Sequence, residues 1–234
     1  SFAQAKDPPK KYLDENYVFK HSKFIKWPEK TGSWGKIETH GRIAPNPWNL
    51  RYETKIVRDG KYSLRFEMRD GDCHRRDCDR SNKAGRSEVI FEGNYPSSAK
   101  GHIGNVWYAW SMYIPEGTNH IRPAYTILGQ FKMPSDYTKQ LNRVNSSGFD
   151  EDCPEIPIVF KLEREGVTIE KDGVLQCEGY GRELIIPTKA LHNKWHDFLM
   201  NVNWTDKEGG FIDLWINDKL AVSYTHLTLP TNTT

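Results

Sequence analysis

Apolar and polar positions alternate along most of this chain, and no segment of helical period exceeds two turns. The clearest run is Trp195 to Trp204, where Phe198, Met200, Val202 and Trp204 share one side and Leu199, Asn201 and Asn203 the other. Asn105 to Ile114 is a long aromatic strand stopped by Pro115-Glu116-Gly117. Arg51 to Val57 and Ser63 to Met68 flank Asp59-Gly60, a hairpin signal, with Leu64, Phe66 and Met68 directed inward and Arg65, Glu67 and Arg69 outward. In Gly85 to Glu92, Arg86, Glu88, Ile90 and Glu92 fall on one face and Ser87, Val89 and Phe91 on the other. Ala124 to Met133 sets Gln130 and Lys132 against Phe131, and Ile156 to Arg164 sets Lys161 against Phe160 and Leu162. Leu184 to Ile186 and Gly209 to Lys219 complete the strand signals, the last entering an Asn217-Asp218 turn. The pattern predicts an all-β sandwich of jelly-roll type: a polar arm over residues 1–16, then one domain over 17–222.

Composition narrows the partners. Eight tryptophans, eleven tyrosines and ten phenylalanines suit aromatic-rich strands better than leucine-rich helices. A formal net charge of +2 is too balanced for wholesale binding to nucleic acid or a membrane surface, so attraction for an anion must be local. No stretch approaches the roughly 20 apolar residues that a membrane-spanning helix needs, and a monomer is expected. Ala3-Gln4-Ala5 fits the end of a secretory signal peptide. Four cysteines without a Cys-x-x-Cys pair favour two disulfides in an oxidising compartment, paired by proximity as Cys73 with Cys78 and Cys153 with Cys177. A secreted or periplasmic protein is the expectation.

Five segments in order carry a resemblance: Arg86-Ser87-Glu88-Val89, Tyr108-Ala109-Trp110-Ser111-Met112-Tyr113-Ile114-Pro115, Gly129-Gln130-Phe131-Lys132, Trp195-His196-Asp197-Phe198 and Leu214-Trp215-Ile216-Asn217. Together they resemble the heparin lyase I-like polysaccharide lyases, and the Arg-Ser-Glu and Gln-x-basic elements also resemble alginate lyases of the same class. The resemblance implies a concanavalin-like jelly roll of two antiparallel sheets, with a concave groove that binds an acidic polysaccharide and cleaves it by β-elimination beside a uronate. Removing the C5 proton leaves an enolate-like intermediate, so donors must neutralise the carboxylate, a base must take the proton and an acid must protonate the leaving oxygen. Carried over, Arg86 and Gln130 bind the carboxylate, and Glu88 holds Arg86 or contacts sugar hydroxyls. Lys161, Tyr108 and Asn201 join the substrate-binding set. The chemistry requires no organic cofactor or metal; some relatives carry structural calcium, and no Asp-x-Asp-x-Asp loop places one here.

Two departures from the family pattern stand out. The family usually has histidine where this chain has Lys132, which can stabilise an enolate but as a base needs a depressed pKa. His102 and His74 are the substitute base candidates, and His74 also joins the substrate-binding set. A Tyr-x-Lys-x-Gly-x-Tyr strand, which supplies the acid in these families, is missing, and the run from Ser223 to Thr231 instead resembles a translated sequencing-adapter tail. Residues 223–234 are therefore expected to be foreign and the catalytic tyrosine strand lost. The alternative reading is a non-catalytic carbohydrate-binding sandwich that uses Trp107, Tyr108 and Trp110 as platforms. A retaining glycoside hydrolase is disfavoured, since no Glu-x-Asp-x-x-Glu strand supplies its two carboxylates.

Overall fold

The computed structural model describes residues 37–38, 46, 48–60, 63–73, 78, 85–88, 90–91, 104–118, 126–131, 158–171, 181–204 and 209–225. The chain divides into two compact units: Glu15–Asn94 forms the N-terminal one, and Tyr95–Thr234 with Ser1–Asp14 the C-terminal one.

In the N-terminal unit, β1 (Ile37–Glu38) pairs with β4 (Ile90–Phe91), and β2 (Leu50–Glu53) pairs antiparallel with β3 (Ser63–Phe66). The β2–β3 turn uses Gly60 at φ 71°. The outward charges of this hairpin bind one another: Arg65 contacts Glu53 at 3.5 Å and Glu67 at 2.7 Å, and Arg69 contacts Glu67 at 2.7 Å. Phe66, expected inward, is 44% exposed, so the hairpin does not bury its whole apolar side. Residues 85–88 lie outside the described strands, and the described strand of that stretch is Ile90–Phe91. The Cys73–Cys78 disulfide forms as expected, with Cα atoms 5.2 Å apart. Cys153 and Cys177 lie outside the described residues.

Among the described residues, the C-terminal unit is a β-sandwich of two four-stranded antiparallel sheets. One runs β6 (Thr126–Phe131), β7 (Ile158–Glu163), β8 (Gly166–Lys171), β9 (Gly181–Pro187). The other runs β12 (Lys219–Thr225), β11 (Phe211–Ile216), β10 (Trp195–Trp204), β5 (Gly104–Tyr113). Period-two alternation decides what each sheet buries. Phe198, Met200, Val202 and Trp204 of β10 enter the core with Ile212, Leu214 and Ile216 of β11, as their spacing predicts. Phe160, Leu162, Val167 and Ile169 answer from the other sheet. Trp110 joins the layers, stacked on Phe198 at 4.9 Å and edge-on to Phe160 at 5.3 Å. A single helical turn, α1 (Thr188–Leu191), links β9 to β10. Asn217 and Asp218 take left-handed conformations at φ 50° and 64°, the two-residue turn between β11 and β12.

The β12 strand continues through Ser223, Tyr224 and Thr225, the first residues of the adapter-like run. Ser223 Oγ donates to Asp213 Oδ1 at 2.6 Å, and Tyr224 packs against the core with Lys171 Nζ 4.8 Å above its ring. These three residues extend the sheet of β10 and β11.

Candidate functional site

Pairing of β6, β7, β8 and β9 lines up side chains in rows on the face turned away from the core. One row is Gln130, Val159, Glu170, Arg182; the next is Ile127, Lys161, Thr168, Leu184. At about 4.8 Å between strands, each row spans roughly 14 Å. Gln130 reaches this face because its neighbour Phe131 turns inward, edge-on to Tyr108 at 4.9 Å. A bulge between Ile127 and Gly129 sets the register of the two rows on β6.

The second row changes in depth along its length. Thr168 is fully buried and Lys161 is 9% exposed, whereas Ile127 and Leu184, on the outer strands of the sheet, are 44% and 49% exposed. In that row the centre is polar and the edges are apolar. Lys161 Nζ donates to Glu170 Oε2, which satisfies a cation that would otherwise be costly to bury. Arg182 Nε donates to Glu163 Oε2 at 2.8 Å, Thr168 Oγ1 donates to the same oxygen at 3.1 Å, and Arg182 also binds Glu165. Hydrogen bonds from Arg182 hold the Glu165 carboxyl below its usual range, and those two glutamates raise the Arg182 guanidinium further above its own. Lys161 and Arg182 on this face are thus held by carboxylates and do not form a diffuse basic patch.

Of the residues expected at the site, Gln130 and Lys161 come together here, in adjacent rows. Tyr108 lies on the inner side of β5 instead of at an outer face; its hydroxyl accepts from Trp204 Nε1 at 2.9 Å. Asn201 lies across the sandwich, on the outer side of β10 opposite Trp107, with its Oδ1 buried and unpaired. Trp107 stacks on Trp215 at 5.7 Å on that side. Arg86 and Glu88 belong to the N-terminal unit, 3.7 Å apart, Nη1 to Oε1. They contact each other although they lie outside the described strands. His74, His102 and Lys132 lie outside the described residues. The sequence reading missed Glu170, Thr168, Arg182 and Glu163; alternation of Thr168 and Glu170 against Val167 and Ile169 was the available signal.

A second polar centre, in the N-terminal unit, also escaped that reading. Asp72 accepts from the backbone N–H of Arg69 at 2.8 Å, Trp48 Nε1 at 2.9 Å, Asn49 Nδ2 at 2.8 Å and Asn46 Nδ2 at 2.8 Å. The Arg69 N–H above all, then the Trp48 and Asn49 donors, hold its carboxyl below the ordinary value of 3.8. A depressed carboxylate contributes stability that is complete above its unfolded value and is lost as pH falls through the folded one. We expect the Trp48 indole N–H resonance to titrate with a midpoint below pH 3.8 and to be insensitive to pH in Asp72→Asn. A midpoint at or above 3.8 would contradict the hydrogen-bond geometry.

Among solved structures, the chain is similar to an endo-β-1,4-glucuronan lyase from the fungus Trichoderma reesei, at 12% sequence identity and a TM-score of 0.47, over 85% of this chain and 74% of that one. No curated protein sequence matches. The profile of one family, polysaccharide lyase, matches residues 27–234. With the match covering all but the first 26 of its 234 residues, the chain belongs to the polysaccharide lyase family.

Proposed function

We propose that the chain cleaves a uronate-containing acidic polysaccharide by β-elimination. The observation that carries this reading is the polar outer face of β6–β9 in a polysaccharide lyase, with Gln130 beside the fixed Lys161–Glu170 pair. In the reaction a base takes the proton from C5 of the uronate. The C–H electron pair forms the C4–C5 double bond, the C4–O bond breaks towards the leaving oxygen, and an acid protonates that oxygen. Charge passes onto the uronate carboxylate as C5 is deprotonated, so donors that strengthen at that moment lower the barrier. The Gln130 amide N–H is assigned to that carboxylate, and Lys161 to substrate binding at the floor of the same face. Arg86 and Lys132 keep the carboxylate-neutralising role that the resemblance implies, Glu88 the support of Arg86, His102 that of base candidate and His74 that of substrate contact. No cofactor is invoked. The Cys73–Cys78 disulfide supports a secreted or periplasmic setting.

The test is to incubate the chain separately with glucuronan, alginate and heparin, following ultraviolet absorbance of the unsaturated uronate and retardation in gels containing each polymer. The expected result is retardation by a polyuronate together with new unsaturated ends. Neither retardation nor product with any of the three overturns the proposal.

A further inference from the structure

Three chain segments meet at Asn49, which is fully buried. Its side chain accepts the Asn46 N–H at Oδ1, 3.0 Å, and donates through Nδ2 to Glu67 O and to Asp72 Oδ2, each at 2.8 Å. Its carbonyl accepts the Glu67 N–H at 3.1 Å and the Ser87 hydroxyl. Residues 46–49, 67–72 and 85–88 are therefore cross-linked through one amide side chain and its carbonyl. The 85–88 segment is also pressed close to this junction. A Cβ on Gly85 would stand 2.8 Å from Met68 Cε, the free end of a flexible side chain, and 3.1 Å from Asp72 O, so the segment lies close against residues 68 and 72. Ser87 and Gly85 thus hold the segment against the junction, while Arg86 and Glu88 meet each other at 3.7 Å with side chains about a quarter to a third exposed.

We infer that Asn49, Asp72 and Ser87 are positioning residues for Arg86: a buried hydrogen-bond junction that holds the backbone beneath its guanidinium and so presents it to an anionic sugar. The inference rests on the proposed carboxylate-binding role of Arg86. Residues 85–88 have no place in a described strand, and a guanidinium carried on them would wander without such an anchor. A hydrogen-bonded junction centred on the buried Asn49, with Asp72 and Ser87 each partnered to it, supplies the rigidity. Pre-organisation of this kind is felt as affinity for the ligand that the guanidinium meets.

The test measures affinity of the whole chain for glucuronan and alginate oligosaccharides by calorimetry. It uses Ser87→Ala, Ser87→Thr, Arg86→Ala and the double variant Ser87→Ala with Arg86→Ala. Ser87→Ala leaves the Asn49–Asp72 bonds in place and is chosen because Asn49→Ala would endanger folding. Ser87→Ala is expected to weaken binding about tenfold, and Ser87→Thr, which keeps the hydroxyl, to restore most of it. In the Arg86→Ala background the Ser87→Ala effect is expected to vanish, because the serine acts through the arginine. Equal weakening in both backgrounds, or none in the first, overturns the positioning role while leaving Arg86 itself in place. Unchanged binding in Arg86→Ala instead overturns the proposed role of Arg86, and the inference with it. Asp72→Asn, which exchanges one acceptor oxygen for a donor, is expected to reproduce the Ser87→Ala loss; retention of full affinity there removes Asp72 from the junction.

Discussion

Gln130→Ala is expected to lower the rate of elimination by about 10²–10³ with little change in KM, the magnitude typical of removing one donor aimed at developing charge. The argument starts from position. Gln130 sits on the outer face of β6 while Phe131 fills the core, so the substitution removes an amide from the polar rows without opening a cavity. The uronate carboxylate is already anionic in the ground state, and its charge grows as the C5 proton leaves. A hydrogen bond to it is therefore worth more in the transition state, and its loss falls on kcat. Gln130→Glu sharpens the test, since it keeps the shape and sets a like charge against the substrate. It is expected to lose more activity than alanine, with KM rising as well. Initial rates of unsaturated-uronate formation for the three proteins, with thermal midpoints to confirm intact folding, decide the matter. Activity in Gln130→Ala within twofold of the unchanged chain would remove Gln130 from the site.

The floor beside Gln130 gives this expectation its setting. Lys161 is held by Glu170 in the middle of the face, and Arg182 is shared between Glu163 and Glu165. A cation with a fixed carboxylate partner loses little entropy when a sugar hydroxyl or carboxylate joins it, and keeps one orientation before the substrate arrives. The exposed Ile127 and Leu184 at the edges of the same row suit the apolar C–H faces of sugar rings.

How much of this was legible in the sequence follows from which forces are periodic. The strands β5, β7, β10 and β11 were readable because each buries one side against the opposite sheet, and burial repeats every second residue. The inward set Phe198, Met200, Val202 and Trp204 came out whole. Tyr108 was misplaced because β5 carries aromatics on both sides, Trp107 outward and Tyr108 and Trp110 inward, so side-chain type alone chose no face. Asn201 was legible only in part. Alternation separates it from Met200 and Val202 but does not say which sheet it belongs to, and its face lies across the core from Gln130. The Asn49 junction was invisible because side chain-to-backbone bonds such as Asn49 to Glu67 and Ser87 to Asn49 join positions far apart in sequence and leave no period. Similarly, the end of β12 was obscured because Lys219, Leu220, Ala221 and Ser223 are exposed, leaving only Val222 and Tyr224 to mark the buried side.

Gly166→Ala is expected to cost more than about 3 kcal/mol, enough to shift a urea midpoint by a molar unit or more or to prevent folding altogether. Gly166 opens β8 at φ 137°, a conformation that side-chain-bearing residues rarely adopt. It is also where the β7–β8 turn meets the end of β9, opposite both Glu163 and Pro187. A Cβ there would overlap Ile186 O and lie 2.9 Å from both Pro187 Cα and Thr188 N. All three are backbone atoms, which cannot swing aside as a long side chain can. Relief requires β9 to move off β8, and the Thr188 N–H that bonds Glu165 O at 2.9 Å would move with it. The strain therefore falls on the pairing that aligns Thr168 with Leu184 and Glu170 with Arg182, so a surviving variant should also bind polyuronate less tightly. Gly209 provides the comparison within the same unit. At φ 95° it is conformationally constrained too, but nothing lies within 4 Å of the place a methyl would take, and Gly209→Ala should cost only about 1 kcal/mol. Urea unfolding of the two variants, followed by tryptophan fluorescence, separates steric collision from conformational preference. A Gly166→Ala midpoint no lower than that of Gly209→Ala would show that β9 yields easily and that the rows of the polar face are not held by this contact.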